Sequence, residues 1–461
     1  MHFDFFHSGS IASNLVLKDS FEYNLDKMNK NIKKILMITL VVIGLASLMM
    51  AVYFLPPVHS RVAWRVANLR TSIRHFFNPP GEHVYTPGQQ DEMEAFAQQT
   101  QTAQALQPTE TITPTQVITP TPTKTATFTP TPTQIPAAEQ LEGVVHESQD
   151  MNNCGPATLS MALSYWGWQG NQRDTQRILR PHEDDRNVMP YEMVNYVRFH
   201  TELEAILRWG GDVEMLRRLV AAGFPVIIER DVRDRRPLND WIGHYGVVTG
   251  YEDNQGRFYL QDSLYGPDYP LDYENLTRYW RAFNYVYIVI YPPEKESEVL
   301  DVLGPHADET YNLEHAVEKA QNDIATQEGL DLFFAWFNYG TSLVNLGDYY
   351  HAALAYDHAY DEIYDQVLPS NERPWRMLWY QTGPYFAYYH TGRYQDVIDF
   401  ANDTLHITGV TEIEETWVWR GRARLALGDV DGAVEDFRTA LNYHPGWGVA
   451  EAELRALGIE P

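Results

Sequence analysis

The 461-residue chain has a single cysteine, Cys154, so no disulfide can close within it. Basic residues are scarce: 35 Lys and Arg stand against 62 Asp and Glu, a net charge of −27. That balance argues against a nucleic-acid partner, because phosphate binding needs clustered Lys and Arg. No G-x-x-x-x-G-K-[ST] loop occurs, so no nucleotide-driven step is expected. No His/Cys/Glu spacing suggests zinc, and His182-Glu183-Asp184-Asp185 reads as a solvated loop. Neither a metal nor a cofactor is expected.

One long apolar run is present. Ile35 to Leu55 is uncharged and about 20 residues long, enough to cross a bilayer as a helix. Lys27, Lys30, Lys33 and Lys34 precede it, as in a signal anchor, although Arg61, Arg65, Arg70 and Arg74 follow it closely. The expected layout is a cytoplasmic segment 1–34, an uncleaved transmembrane anchor 35–55 and a juxtamembrane segment 56–107. The chain would be a single-pass cell-membrane protein with its bulk extracytoplasmic; Met28 is an alternative start to Met1. Within 56–107, residues 61–77 space apolar and basic side chains as in an interfacial helix.

Residues 108–138 are a Thr/Pro tract that cannot build a core. As polyproline II, at ~3.1 Å per residue, it would make a spacer on the order of 80–90 Å long.

Residues 141–295 carry a mixed pattern and are expected to form an α+β domain. A helix follows Cys154 and stops at Gly167, and further helices are expected near 189–200 and 212–222. Strands are expected at 225–229, 244–251, 257–262 and 285–291, with a hairpin turn at 252–256.

Three segments of this domain bring chemistry. Cys154 opens a helix, where free N–H groups and partial positive charge favour a thiolate; Asn152 or Asn153 could cap that helix, and Pro156 suits its first turn. Gln149, five residues upstream, could join the Cys154 N–H in an oxyanion hole. His244 begins a strand and could act as general base and acid, and Asp262 ends the return strand, where it could orient the imidazole. Each residue alone has a structural reading: a buried thiol, one of 16 histidines, a turn-forming aspartate. Their order and context favour the catalytic set.

The segments QDMNNCGPATLSMAL, GFPVIIE, GHYGVVTGY and FYLQDS resemble the bacteriocin-processing, double-glycine (C39-like) cysteine peptidases of the papain-like clan. The resemblance covers about a third of the chain. It implies a papain-like fold with Cys154 as nucleophile, His244 as general base and acid, Asp262 as orienting residue and Gln149 as oxyanion donor. Two departures stand out: the Gln-to-Cys spacing is five rather than six, and Ser263 follows Asp262 where Pro is common.

From 310 to 461 the pattern is helical and repetitive. Trp336, Gly340, Gly347, Ala352, Tyr356 and Ala359 recur at matching offsets as Trp417, Gly421, Gly428, Ala433, Phe437 and Ala440, with a weaker copy around Gly392, Tyr394, Val397 and Ala401. These offsets resemble the tetratricopeptide (TPR) repeat. Tyr349, Tyr350, Tyr388 and Tyr389 are either core or the lining of a peptide-binding face. The expected function is an extracytoplasmic cysteine peptidase acting on peptide or protein substrates, its repeats binding substrate or a protein partner. The alternative is a peptidase-like scaffold that binds without turnover.

Overall fold

The computed structural model describes residues 37–39, 44 and 135–461, apart from 183–184, 234–240 and 409–410. Apart from residues 37–39 and 44, the expected anchor, the segment 56–107 and all but the end of the Thr/Pro tract therefore lie outside the described residues. Among the described residues no helix is long and apolar enough to cross a membrane.

The first part is a sheet flanked by helices. The strands are β1 (Ala138–Gln140), β2 (Glu204–Arg208), β3 (Val226–Asp231), β4 (Gly243–Glu252), β5 (Arg257–Asp262), β6 (Gly266–Asp272) and β7 (Tyr287–Tyr291). They form an antiparallel sheet in the order β2-β7-β3-β4-β5-β6, while β1 pairs with the end of β4 that β3 leaves uncovered. Helices α1 (Cys154–Tyr165), α2 (Gln172–Leu179), α3 (Pro190–His200) and α4 (Val213–Ala221) precede the main hairpin, and α5 (Tyr273–Arg281) joins β6 to β7. The central strands are buried on both faces: every residue of β3 and β7 is inaccessible, and β7 and the first half of β3 read as apolar runs. Two hydrophobic clusters sandwich the sheet. One is built on α1 and α3 with Tyr245 and Val247, the other on α4 and α5 with Val248 and Leu260.

The second part is helical: α6 (Glu296–Leu303), α7 (Glu309–Thr326), α8 (Gly329–Asn345), α9 (Tyr349–Asp357), a short α10 (Met377–Tyr380), α11 (Gly383–His390), α12 (Tyr394–Thr408), α13 (Glu414–Ala426), α14 (Val430–Tyr443) and α15 (Gly448–Ala456). Small-to-large pairing sets the approach of neighbouring helices. A Cβ on Gly340 of α8 would lie 2.8 Å from the Tyr356 ring of α9, and one on Gly421 of α13 would lie 2.6 Å from Phe437 of α14. The repeated Gly-to-aromatic offset thus has the same steric cause in both hairpins. Between them the spacing changes, because α9 runs on as a π-helical turn, His358–Tyr364. Of the four singled-out tyrosines, Tyr388 is fully buried and the other three are half-buried.

The two parts share a core. Trp241, just before β4, stacks on Phe283 and Phe334 and meets Tyr380 edge-on. Arg376 donates to the Trp241 carbonyl at 3.0 Å, Asn338 to the Arg281 carbonyl at 2.7 Å and Gln381 to the Ala282 carbonyl at 2.7 Å. Asp331 of α8 takes Arg233 and Arg278, both at 3.0 Å. Gly243 lies in the middle of this contact: an added Cβ would sit 2.6 Å from Phe283 and 3.0 Å from Tyr380. Gly243→Ala should therefore overpack the junction and cost about 1–3 kcal/mol of stability, read from chemical denaturation. A change below about 0.5 kcal/mol would refute this packing.

Candidate active site

Cys154 is the first residue of α1. Asn153 occupies the cap position, but its side chain makes no capping bond; it donates instead to Gln172 Oε1 at 2.8 Å. The expected side-chain cap is thus corrected, and Asn152 holds a left-handed backbone, φ 55°. With the cap residue drawn away, the first N–H groups of the helix remain available at the thiol. Gln172 accounts for the geometry of the preceding loop: it also accepts the Asp150 N–H at 2.8 Å and donates to the Ser148 carbonyl at 2.9 Å. Nothing in the local pattern singles it out, because α2 is mostly polar.

Sheet register brings the other groups together. Arg230 of β3 pairs with His244 of β4, and Val247 pairs with Gln261, which sets Asp262 one step further along β5. Since alternate residues share a face, His244 and Asp262 become neighbours. His244 Nε2 lies 2.9 Å from Asp262 Oδ1. The same imidazole interacts with the Cys154 thiol, and with Nε2 on Asp262 its Nδ1 is the nitrogen left for sulfur. Backbone groups of Gly155 and Tyr245 also bond the sulfur.

Asp262 is held from several sides. Oδ1 also accepts the Leu264 and Tyr265 N–H groups, each at 2.9 Å, in the tight connection to β6. Oδ2 accepts from Arg230 Nη2 at 3.1 Å, both side chains being fully buried. Arg230 was not foreseen, since at the end of an apolar run it reads as the charged exit of a strand.

Electrostatics follow from these contacts. Burial works against every charge here, yet the partners outweigh it at three groups. The Asp262 carboxyl is held well below the usual range by His244 and Arg230. His244 is pushed up to about 9 by Asp262 and the Cys154 sulfur. The Cys154 thiol is lowered by its hydrogen bond to His244 and the imidazolium charge. The arrangement therefore shifts the pair toward thiolate and imidazolium. Glu229 and Tyr245, neighbours behind the site, go the opposite way: burial raises both well above their ordinary values.

Gln149 is half-buried, like Cys154. Its N–H bonds the Ser263 carbonyl at 3.0 Å, and its Oε1 accepts the Ser263 hydroxyl at 2.9 Å. Ser263 thus fixes the amide, leaving its NH2 end as the donor.

Residues 133–288 match the model of the Peptidase_C39 like family, a stretch running from before β1 into β7. A solved structure described as a C39-like peptidase from Bacillus anthracis is similar at 18% identity with a TM-score of 0.28, covering 33% of this chain and 96% of that one. No curated protein matches the chain.

Proposed function

We propose that this chain is a cysteine peptidase that hydrolyses peptide or amide bonds through an acyl-thioester on Cys154. One observation carries the reading: the only thiol starts a helix with its first N–H groups uncapped and interacts with an imidazole whose far nitrogen is held by a buried, ionised Asp262.

The Cys154 thiolate attacks the scissile carbonyl carbon and forms the C–S bond. The oxyanion is received by the Cys154 N–H and the Gln149 amide. His244 Nδ1–H gives its proton to the leaving amine as the C–N bond breaks. The neutral imidazole then takes a proton from water, whose oxygen displaces sulfur and releases the acid. Asp262 and Arg230 act through His244 and hold its orientation.

In the same reading, the C-terminal helices are TPR repeats that present substrate or dock a protein partner, on the strength of the repeated Trp, Gly, aromatic and Ala offsets. The apolar run 35–55 is the membrane anchor that sets these domains outside the cell.

The full-length protein is to be incubated with a peptide library, acid-quenched and weighed intact. Turnover with an acyl adduct mapped to Cys154 is expected. An unreactive library, together with alkylation of Cys154 at the rate of free cysteine, would favour the non-catalytic scaffold. Within the site, Gln149→Ala should lower kcat by about 10²–10³ with KM little changed. Ser263→Ala, which only frees the amide to rotate, should cost about tenfold. A KM effect in place of a kcat effect would remove Gln149 from the oxyanion hole.

A further inference from the structure

The loop expected to be solvated is buried where it reaches Asp185, whose side chain is 1% exposed. Asp185 meets two residues more than 200 positions away, Glu414 at the start of α13 and His444 after α14, both also buried. One ligating atom from each of the three lies within 4.8 Å of the others. Glu192 and Glu415 are close enough to act on the same carboxyls, so four acids crowd together. Arg180 and His444 bring positive charge to them.

The hydrogen bonding is incomplete in a telling way. Asp185 Oδ1 accepts the Asn187 N–H at 3.3 Å, whereas its Oδ2 has no partner among the described residues. Glu414 Oε1 takes His444 Nδ1 at 2.8 Å, whereas its Oε2 has none. Buried carboxylate oxygens without donors cost free energy that a cation would recover. The His444 ring also bonds the Ile178 carbonyl, the backbone contact that commonly orients a ligating imidazole.

We infer that Asp185, Glu414 and His444 form a binding site for a first-row divalent transition metal that ties the loop before α3 to the helical region. Two carboxylates and an imidazole suit zinc or manganese; magnesium and calcium prefer all-oxygen shells. The site is distinct from the thiol site, and its role is structural. The same loop carries Val188, whose Cβ would lie 3.0 Å from a Cβ on Gly155 and whose carbonyl accepts from Tyr245 at 2.8 Å. Fixing Asp185 therefore also steadies the first turn of α1.

The test uses full-length Cys154→Ala protein, so that zinc cannot be held by sulfur. After chelator treatment, zinc loading and gel filtration, elemental analysis should find about one zinc per chain. The thermal midpoint should rise by about 5 °C at hundredfold excess over Kd. Asp185→Asn and Glu414→Gln are near-isosteric and lessen the repulsion, so both should fold; each should retain at least tenfold less zinc. X-ray absorption of the loaded protein should show an imidazole among oxygen ligands. Failure of the parent protein to retain zinc would overturn the inference, as would equal retention by both variants.

Discussion

Cys154→Ala should lower the hydrolytic rate by at least about 10⁴-fold while leaving the fold intact, because the bond-forming atom is removed and the alanine methyl fits where the thiol was. The protonation pattern makes a finer expectation. In the wild type, His244 lowers the thiol's pKa, so the alkylation rate of Cys154 by iodoacetamide should reach its plateau at lower pH than that of a free cysteine. His244→Ala should move that limb back up. Peptidase activity should then decline as pH rises past about 9, where His244 loses the proton destined for the leaving amine. Stability has the same sign: the His244 contribution is complete below an unfolded-state value of about 6.5 and is lost as pH rises through 9. If the thiol of the wild type titrates like free cysteine and is indifferent to His244→Ala, the ion pair does not exist.

Asp262→Asn should be the second large effect, and it should fall on rate and stability together. The amide cannot stabilise the imidazolium as a carboxylate does, so kcat should fall by up to about 10⁴. It also removes the carboxylate charge beside the fully buried Arg230, which should cost about 3–5 kcal/mol. Removing both charges separates the two roles. Asp262→Asn combined with Arg230→Met should restore most of the stability and none of the activity, since an absent buried pair is far cheaper than a broken one. The pH dependence provides a further check. Because the folded Asp262 carboxyl is depressed, its contribution is present above an unfolded value of about 3.9 and is lost as pH falls through the folded value. The double variant should lack that component of acid destabilisation. Equal instability in the single and double variants would mean that Arg230 serves something other than this carboxylate.

Much of the sheet was legible because buried strands are apolar runs: the expected 225–229, 244–251 and 257–262 stand as Val226–Asp231, Gly243–Glu252 and Arg257–Asp262. The misses have physical reasons. β6, GPDYPLD, contains two prolines, which are tolerated because it is an edge strand, yet hide its strand pattern. β1 is three residues long, and α2 is nearly all polar. In the site, Cys154, His244 and Asp262 each sit at the end or start of a periodic segment, where a sequence pattern locates them well. Arg230 needs the β3–β4 register to be found, and Gln172 needs the loop it supports. Asp185 is buried where a solvated loop is expected, because it meets Glu414 only through tertiary packing that the local sequence does not show.

The stack of Trp241 on Phe283, Phe334 and Tyr380 has an implication for how this architecture can vary. The α+β domain and its helical tail are joined by a common interior a few residues from His244, where the Tyr380 ring lies against Gly243. Grafting a foreign tail after residue 295 would strip aromatic cover from the strand that holds the imidazole. Whatever the helices recognise, their exchange between relatives would have to carry Trp241 and Phe283 with them, so the two halves should have diversified as one inheritance.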